Sequence, residues 1–314
     1  MLRILVADGM EKAALEKLKN MKFDVVEKHY DEEELKNEIK NFDVLVVRSA
    51  TKVKKPIIDA AAETKRLKLI IRGGVGVDNI DVEYAKTKGI MVKNTPNASS
   101  ASVAELVIGH IFTLARFIHN ANVTMRQGKW NKKIYEGIEI NGKTLGLIGF
   151  GRIGRETAKR AKALGMKVVF FDIAGPVMEH RGYKYCEMEQ LLTLSDFISL
   201  HVPYNNGEKA VIGKDEIEEM KEGVYLINCA RGGVIDEEAL IEALDSGKLA
   251  GAAMDVFVEE PAKNNALCNH DKVSITPHIG ASTIEAQERI GEEIVDIILD
   301  FMHGGEFNGI AQSI

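Results

Sequence analysis

The chain has 314 residues, 45% of them hydrophobic and 28% charged, with a formal net charge of −6. At roughly 100–200 residues per domain, that length suggests two domains whose cores need no disulfide or metal staple. The acidic balance argues against nucleic acid or an anionic membrane as the main partner, since both call for a basic surface.

MLRILVADG opens the chain as a first strand, its apolar run too short for a signal peptide. Short apolar runs then alternate with charged helical stretches. RILVAD, FDVVE, DVLVVRS and LKLIIRGG read as strands, and EKAALEKLKN, DEEELKNEIKN and KPIIDAAAE as helices. This interleaving implies βαβ units and a parallel sheet. GIMVKNTPN ends the portion on a proline turn.

One long helix is expected over residues 98–128. Its middle, AELVIGHIFTLARFI, is apolar around much of its circumference, where a surface helix would show only a stripe. That points to a helix crossing between domains or forming a subunit interface. It is too interrupted for a membrane span, because His110, Arg116 and His119 break the apolar run. The alternation then restarts with TLGLIGFG, KVVFFD, DFISLHVP, VYLINCARGG, AGAAMDVF and VSITPHIG as strands. This second α/β portion covers residues 98–281, and STIEAQERIGEEIVDIILDFMHGG forms a last helix. Cys186, Cys229 and Cys268 are far apart and odd in number. They read as reduced thiols of a cytoplasmic protein, with no metal-ligand spacing among them.

Two glycine motifs compete for a phosphate. GIEINGKT, residues 137–144, matches the P-loop pattern, but a strand follows it where a helix is required. It is read as a polar turn. GFGRIG, residues 149–154, matches G-x-G-x-x-G in the right setting, with the strand LGLI before it and the helix RETAKRAKALG after it. Gly149 allows the tight turn, Gly151 lets the backbone approach a pyrophosphate, and Gly154 lets helix and strand pack closely. The next strand ends on Asp172, about 20 residues on, where a carboxylate meets the ribose hydroxyls of a dinucleotide. No arginine follows directly, which favours NAD over NADP.

Three polar residues stand at or beyond strand ends of this portion: Arg231 in NCARGG, Glu260 in DVFVEEP and His278 in TPHIG. Singly, each has a structural explanation. Together, on the sheet edge where ligands bind, they form a working set. Histidine serves as general acid or base, a carboxylate orients it, and arginine makes a bidentate pair with a substrate carboxylate. Hydride transfer at a 2-hydroxy acid needs these parts.

Together with VRSATKV, RGGVGVDNID, NTPNASS and TPHIGAST, these motifs make the chain resemble the D-isomer-specific 2-hydroxyacid dehydrogenase family, over residues 44–296. The resemblance implies two Rossmann-like, doubly wound parallel-sheet α/β domains with a cleft between them. The substrate-binding domain is then discontinuous, residues 1–97 plus 282–314, and residues 98–281 form the NAD-binding domain. It supports the roles of Arg231, Glu260 and His278. It implies NAD contacts at Val75, Arg152, Ile153, Asp172, His201, Val202, Pro203, Cys229, Ala230, Asp255, Gly280 and Ala281. The substrate carboxylate falls against Gly73, Gly74 and Val75, and the phosphate of an anionic substrate such as 3-phosphoglycerate near Arg48. In that chemistry His278, paired with Glu260, accepts the hydroxyl proton as the C2 hydride leaves for the nicotinamide. A homodimer through the NAD-binding domain is expected, with no nucleic acid, membrane or metal.

There are departures from the family pattern. An arginine usual after GKW is replaced by NKK, so Lys132 is the cation there, a point charge rather than a fork. Gly73 stands where alanine is usual. The chain ends soon after the last helix, so regulation through a C-terminal domain is not expected. Two alternatives stay open. One is the same chemistry on hydroxypyruvate, glyoxylate or D-lactate, with Arg48 and Lys52 a solvated basic turn. The other is an NAD-binding co-repressor.

Overall fold

The computed structural model describes residues 1–176, 182–204, 207–263 and 265–303. It begins with β1 (Arg3–Val6), α1 (Lys12–Asn20), β2 (Asp24–Glu27), α2 (Glu32–Glu38), β3 (Val44–Val47), α3 (Lys55–Thr64), β4 (Leu69–Arg72), α4 (Val82–Thr87) and β5 (Met91–Asn94). Next come α5 (Ser100–Arg116), α6 (Ile118–Arg126), β6 (Thr144–Ile148), α7 (Arg152–Ala163), β7 (Lys167–Phe171) and β8 (Lys184–Tyr185). The series closes with α8 (Met188–Leu194), β9 (Phe197–Leu200), α9 (Lys214–Glu219), β10 (Val224–Asn228), α10 (Glu237–Ser246), β11 (Leu249–Met254), β12 (Val273–Ile275) and α11 (Ile284–Met302).

The chain divides into two compact units, one of Met1–Ser99 with the segment from Ala281 onward, the other Ser100–Gly280. In the first unit five strands run in the order β2-β1-β3-β4-β5, all parallel. The VLVV run of β3 is buried throughout, as a parallel strand covered on both faces must be. Below one face lie Leu35, Phe42, Ile57 and Ile58; on the other, Leu15 and Leu18 of α1 pack with Ile290, Ile294 and Ile298 of α11. The strand order reverses between β1 and β3, so the ends of these two strands flank the crevice where this class of sheet takes ligands. Arg48 follows β3 there, its backbone N–H held by Asp8 Oδ2 at 2.7 Å.

The second unit has seven parallel strands in the order β12-β11-β10-β9-β6-β7-β8. Its reversal lies between β6 and β9, and the GFGRIG loop leaves β6 at that point. Ile198, Leu200, Leu226 and Met254 fill one face, and Leu145, Leu147, Phe197 and Ile227 the other. Both units are therefore doubly wound, the α/β architecture expected. The false P-loop is a turn: Gly142 has φ +76°, Lys143 N–H donates to Ile140 O at 3.1 Å, and β6 starts at Thr144.

The single helix expected over residues 98–128 is two. α5 and α6 meet at 66°, with Phe117 between them at φ 53°. The carbonyl of Ala115 accepts the N–H of Ile138 at 2.9 Å. A Cβ on Gly137 would lie 2.3 Å from the same oxygen. The returning segment thus takes over a carbonyl at the end of α5, and the helix stops there. Among the described residues no single helix is long and apolar enough to cross a membrane; only this bent pair passes, by length and composition.

Candidate active site

The ends of β6, β7, β9, β10, β11 and β12 on one edge of the second sheet each carry part of a site. The first part is the loop after β6. Gly149 has φ +92°, and a Cβ there would sit 2.4 Å from the carbonyl of His201. A Cβ on Gly154 would lie 2.4 Å from the carbonyl of Gly149. These two glycines are demanded by the fold itself. Gly151 is different. A Cβ there would meet nothing within 4 Å, and Gly151 caps α7 with no side-chain hydrogen bond. The space over this helix N-terminus is open, in a place where N–H groups and the helix dipole favour an anion. A dinucleotide pyrophosphate fits that cradle.

Asp172, at the end of β7, closes the loop from the other side. Its Oδ2 accepts the Phe150 N–H at 2.7 Å and its Oδ1 accepts that of Ala174 at 2.9 Å. Each oxygen keeps a second lone-pair direction for a ribose hydroxyl. Arg152 is exposed at the helix start, while Ile153 is buried beneath it. After β9, His201 is 3% exposed and its Nε2 lies 3.1 Å from Ser199 Oγ. Burial pushes this imidazole down to about 3, so it is neutral. Val202 and Pro203, which follow, are half-buried and exposed.

The turn after β10 is built by a side chain that the sequence left unremarked. Asn228 is fully buried; its Oδ1 accepts from Ala230 N–H at 3.0 Å and its Nδ2 donates to Arg231 O at 2.8 Å. A buried amide at a strand end was the available signal, since such a group must find partners. The glycines after Arg231 are set by close approach. A Cβ on Gly232 would lie 1.9 Å from Phe257 O, and one on Gly233, at φ +87°, would lie 2.4 Å from the Tyr204 ring. Gly232 presses the Arg231 loop onto the segment after β11 that carries Glu260, and Gly233 presses it onto Tyr204, after β9. Cys229 is buried, and burial raises its thiol well above the usual value. It is no nucleophile.

His278 follows β12 in the left-handed region, at φ 55°. A histidine there stores strain that its surroundings must override. Its N–H donates to Asp255 O at 2.8 Å, and the N–H groups of Ile279 and Gly280 donate to Asp255 Oδ1 and Oδ2 at 2.8 and 2.9 Å. Asp255, 1% exposed, thus anchors the whole loop.

The His278 ring points Nδ1 at Glu260 Oε2, 2.7 Å away. Burial works against the ionised Glu260. The His278 hydrogen bond and charge, the Phe257 N–H and the Arg231 charge outweigh it and hold the carboxyl below the usual carboxylate range. An ionised carboxylate only accepts, so Nδ1 carries the proton and Nε2 is left for exchange with a substrate. Arg231 Nη1 donates to Ala230 O at 2.6 Å, and its charge acts on Glu260. The arrangement unites a cation for a carboxylate with a proton acceptor aimed by a carboxylate.

Other residues named from the sequence are not on these strand ends. Lys132 is exposed in a one-turn 3-10 helix, Lys132–Ile134. Arg48, Gly73, Gly74, Val75 and Ala281 belong to the first unit. There Gly74 has φ +142° and Val75 O accepts from Asn94 Nδ2 at 2.5 Å.

Comparison with known proteins agrees with this geometry. The family model for the D-isomer specific 2-hydroxyacid dehydrogenase, NAD binding domain, matches residues 108–280. Hydroxypyruvate reductase of Thermotoga maritima is 49% identical over 300 residues, covering 94% of this chain and 97% of that protein. D-3-phosphoglycerate dehydrogenase of Methanocaldococcus jannaschii is 47% identical over 97% of this chain, which spans only 58% of that protein's length. The crystal structure of D-lactate dehydrogenase from Aquifex aeolicus, complexed with NAD and lactic acid, superposes with a TM-score of 0.84 at 33% identity, covering 96% of each chain. With the cradle at Gly151, the carboxylate at Asp172 and these relatives in view, the chain belongs to the D-isomer-specific 2-hydroxyacid dehydrogenases and is an NAD-dependent enzyme of that family.

Proposed function

We propose that this protein is a D-3-phosphoglycerate dehydrogenase, oxidising D-3-phosphoglycerate to 3-phosphohydroxypyruvate at the first step of phosphorylated serine synthesis. In this reading Arg231 grips the substrate carboxylate, with the backbone of Gly73, Gly74 and Val75 as further donors. His278 Nε2 takes the C2 hydroxyl proton as the C–H bond breaks, and Glu260 stabilises the imidazolium that results. Bound NAD supplies the hydride acceptor. In the reverse direction the imidazolium returns its proton to the carbonyl oxygen.

The observation that carries the phosphorylated substrate is Arg48, whose backbone N–H is held by Asp8 at the switch point of the first sheet. An arginine is suited to a phosphate by its fork of donors. The identity to D-3-phosphoglycerate dehydrogenases, 47% in the archaeal case, supports the same reading. A second reading has its own support. The Thermotoga hydroxypyruvate reductase is matched along 97% of its length, and in that case Arg48 is a solvated basic residue.

Turnover of NADH with 3-phosphohydroxypyruvate, hydroxypyruvate, glyoxylate and pyruvate, each repeated with NADPH, separates the two. A preference for the phosphorylated acid that disappears in Arg48→Gln supports the proposal. Equal or better turnover of hydroxypyruvate, unchanged in Arg48→Gln, replaces it with the second. Removing a charged hydrogen-bond partner costs about 1.5–3 kcal/mol, roughly a 10–100-fold drop in kcat/KM for the phosphorylated acid alone. We also propose a homodimer through the NAD-binding unit, which light scattering tests directly.

A further inference from the structure

α5 buries Val103, Val107, Ile111 and Leu114 in the core of the second unit. One polar side chain shares that environment. His110 is 3% exposed, and a buried imidazole must be accounted for by its partners. Both ring nitrogens are engaged. Nδ1 lies 3.0 Å from Ser274 Oγ, on β12, and Nε2 lies 3.2 Å from Thr276 Oγ1, just past the same strand. Thr276 Oγ1 in turn donates its proton to Asp255 Oδ1 at 2.6 Å.

The direction of every proton in this chain can be worked out. A hydroxyl has one proton to give, and that of Thr276 goes to Asp255. Towards His110 the Thr276 oxygen must therefore accept, so Nε2 carries a hydrogen. Burial disfavours the charged imidazole and outweighs the opposing pull of Asp255. Neutral His110 then has a bare Nδ1, which accepts from Ser274. The order is Ser274 O–H to His110 Nδ1, His110 Nε2–H to Thr276 Oγ1, and Thr276 O–H to Asp255 Oδ1. At its far end Asp255 holds the N–H groups of Ile279 and Gly280, which directly follow the left-handed His278, while its carbonyl accepts the His278 N–H.

We propose that His110 is a positioning residue for the reaction: as the Nε2–H tautomer it orients the Thr276 hydroxyl onto Asp255 and so holds the 276–280 loop, with His278 in its left-handed conformation, in place for proton transfer. His110 touches neither substrate nor cofactor in this account. It acts through two intervening side chains. A supporting shell of this kind decides whether a site is held in productive geometry. The inference rests on the role given to His278 under the proposed function.

The test compares His110→Leu, which fills the core without a donor, with His110→Gln, which restores an N–H. Steady-state kinetics on whichever 2-oxo acid is turned over, per mole of folded protein, give the readout. A misplaced reacting group costs roughly 10–100-fold in rate. That loss is expected in kcat for His110→Leu, with KM for NADH little changed and partial rescue by His110→Gln. Thr276→Val should show the same loss and Thr276→Ser should not. Combining His110→Leu with Thr276→Val should add nothing further, because both cut one chain. Full kcat in folded His110→Leu, beside a His278→Ala enzyme that is inactive, overturns the inference and leaves His278 in its role. Full kcat in His278→Ala removes the reading on which it rests. Nitrogen NMR of the histidines in the unmodified protein tests the tautomer without any variant: Nε2–H is required, and Nδ1–H on His110 contradicts the proposal.

Discussion

Nδ1 of His278 lies 2.7 Å from Oε2 of Glu260, which is 18 residues earlier in the chain. The pair joins the loop after β11 to the loop after β12. Glu260 titrates below its ordinary value in the folded protein. A depressed folded value means that the pair's contribution is present above the unfolded value and is lost as pH falls through the folded one. Below the ordinary glutamate value of 4.5, the wild type should therefore lose thermal stability more steeply than Glu260→Gln. Thermal melts of both proteins across the acid range check this. Parallel curves would show that the pair does not titrate as described. Because both side chains are more than a third exposed, the slope difference is expected to be small.

Arg231→Lys keeps the charge and loses the fork. kcat/KM for the 2-oxo acid should fall by roughly 10–100-fold, the equivalent of the 1.5–3 kcal/mol of a charged hydrogen bond. NADH affinity, read by fluorescence, should not change. A drop in NADH affinity of similar size would place Arg231 against the cofactor rather than the carboxylate.

The glycines of the GFGRIG loop should separate fold from ligand. A Cβ on Gly154 meets Gly149 O at 2.4 Å, whereas one on Gly151 meets nothing. Gly154→Ala should lower Tm, since overpacking costs about 1–3 kcal/mol. Gly151→Ala should leave Tm unchanged and raise KM for NAD several-fold, by filling the space where the pyrophosphate approaches. Calorimetry and cofactor titration of the two variants decide it. Unaltered NAD binding in Gly151→Ala would move the pyrophosphate elsewhere.

Asp172 accepts two backbone N–H groups and is proposed to face the ribose as well, so its substitutions should differ. Asp172→Asn keeps a carbonyl oxygen for the Phe150 or Ala174 N–H, and removes the charge that repels a 2′-phosphate. It should narrow the ratio of NAD to NADP turnover, with little change in Tm. Asp172→Ala loses both backbone hydrogen bonds and should also cost about 1–3 kcal/mol of stability. Kinetics with each cofactor, beside melting curves, distinguish the two effects.

The parts of the molecule that could be read from sequence are those where local chemistry and backbone sterics coincide. Buried parallel strands read as unbroken apolar runs, as in VLVV of β3. The spacing of Gly149, Gly151 and Gly154 is a compact local pattern, although only Gly154 is set by a contact inside the turn, with Gly149 O. Polar residues at strand ends, Arg231 and His278 among them, stood out because the strands before them are so apolar. The break at Phe117 was hidden, since neither glycine nor proline marks it and the segment that stops the helix returns only at Gly137 and Ile138, beyond the whole of α6. α4 and β8 are six and two residues long, too short for a periodicity to show. The role of His110 was invisible for another reason. Its partners are 164 and 166 residues away, so in sequence it only interrupts an apolar helix.

One experiment bears directly on His278 as the proposed carrier of the substrate proton. The most direct measurement is NADH consumption by the wild type and by His278→Ala, with the panel of 2-oxo acids at saturating concentration and NADH binding followed by fluorescence. A kcat lower by roughly 10²–10⁴-fold is expected in the variant, the usual contribution of a general acid, with NADH bound as tightly as before. Equal kcat in the two proteins would contradict it.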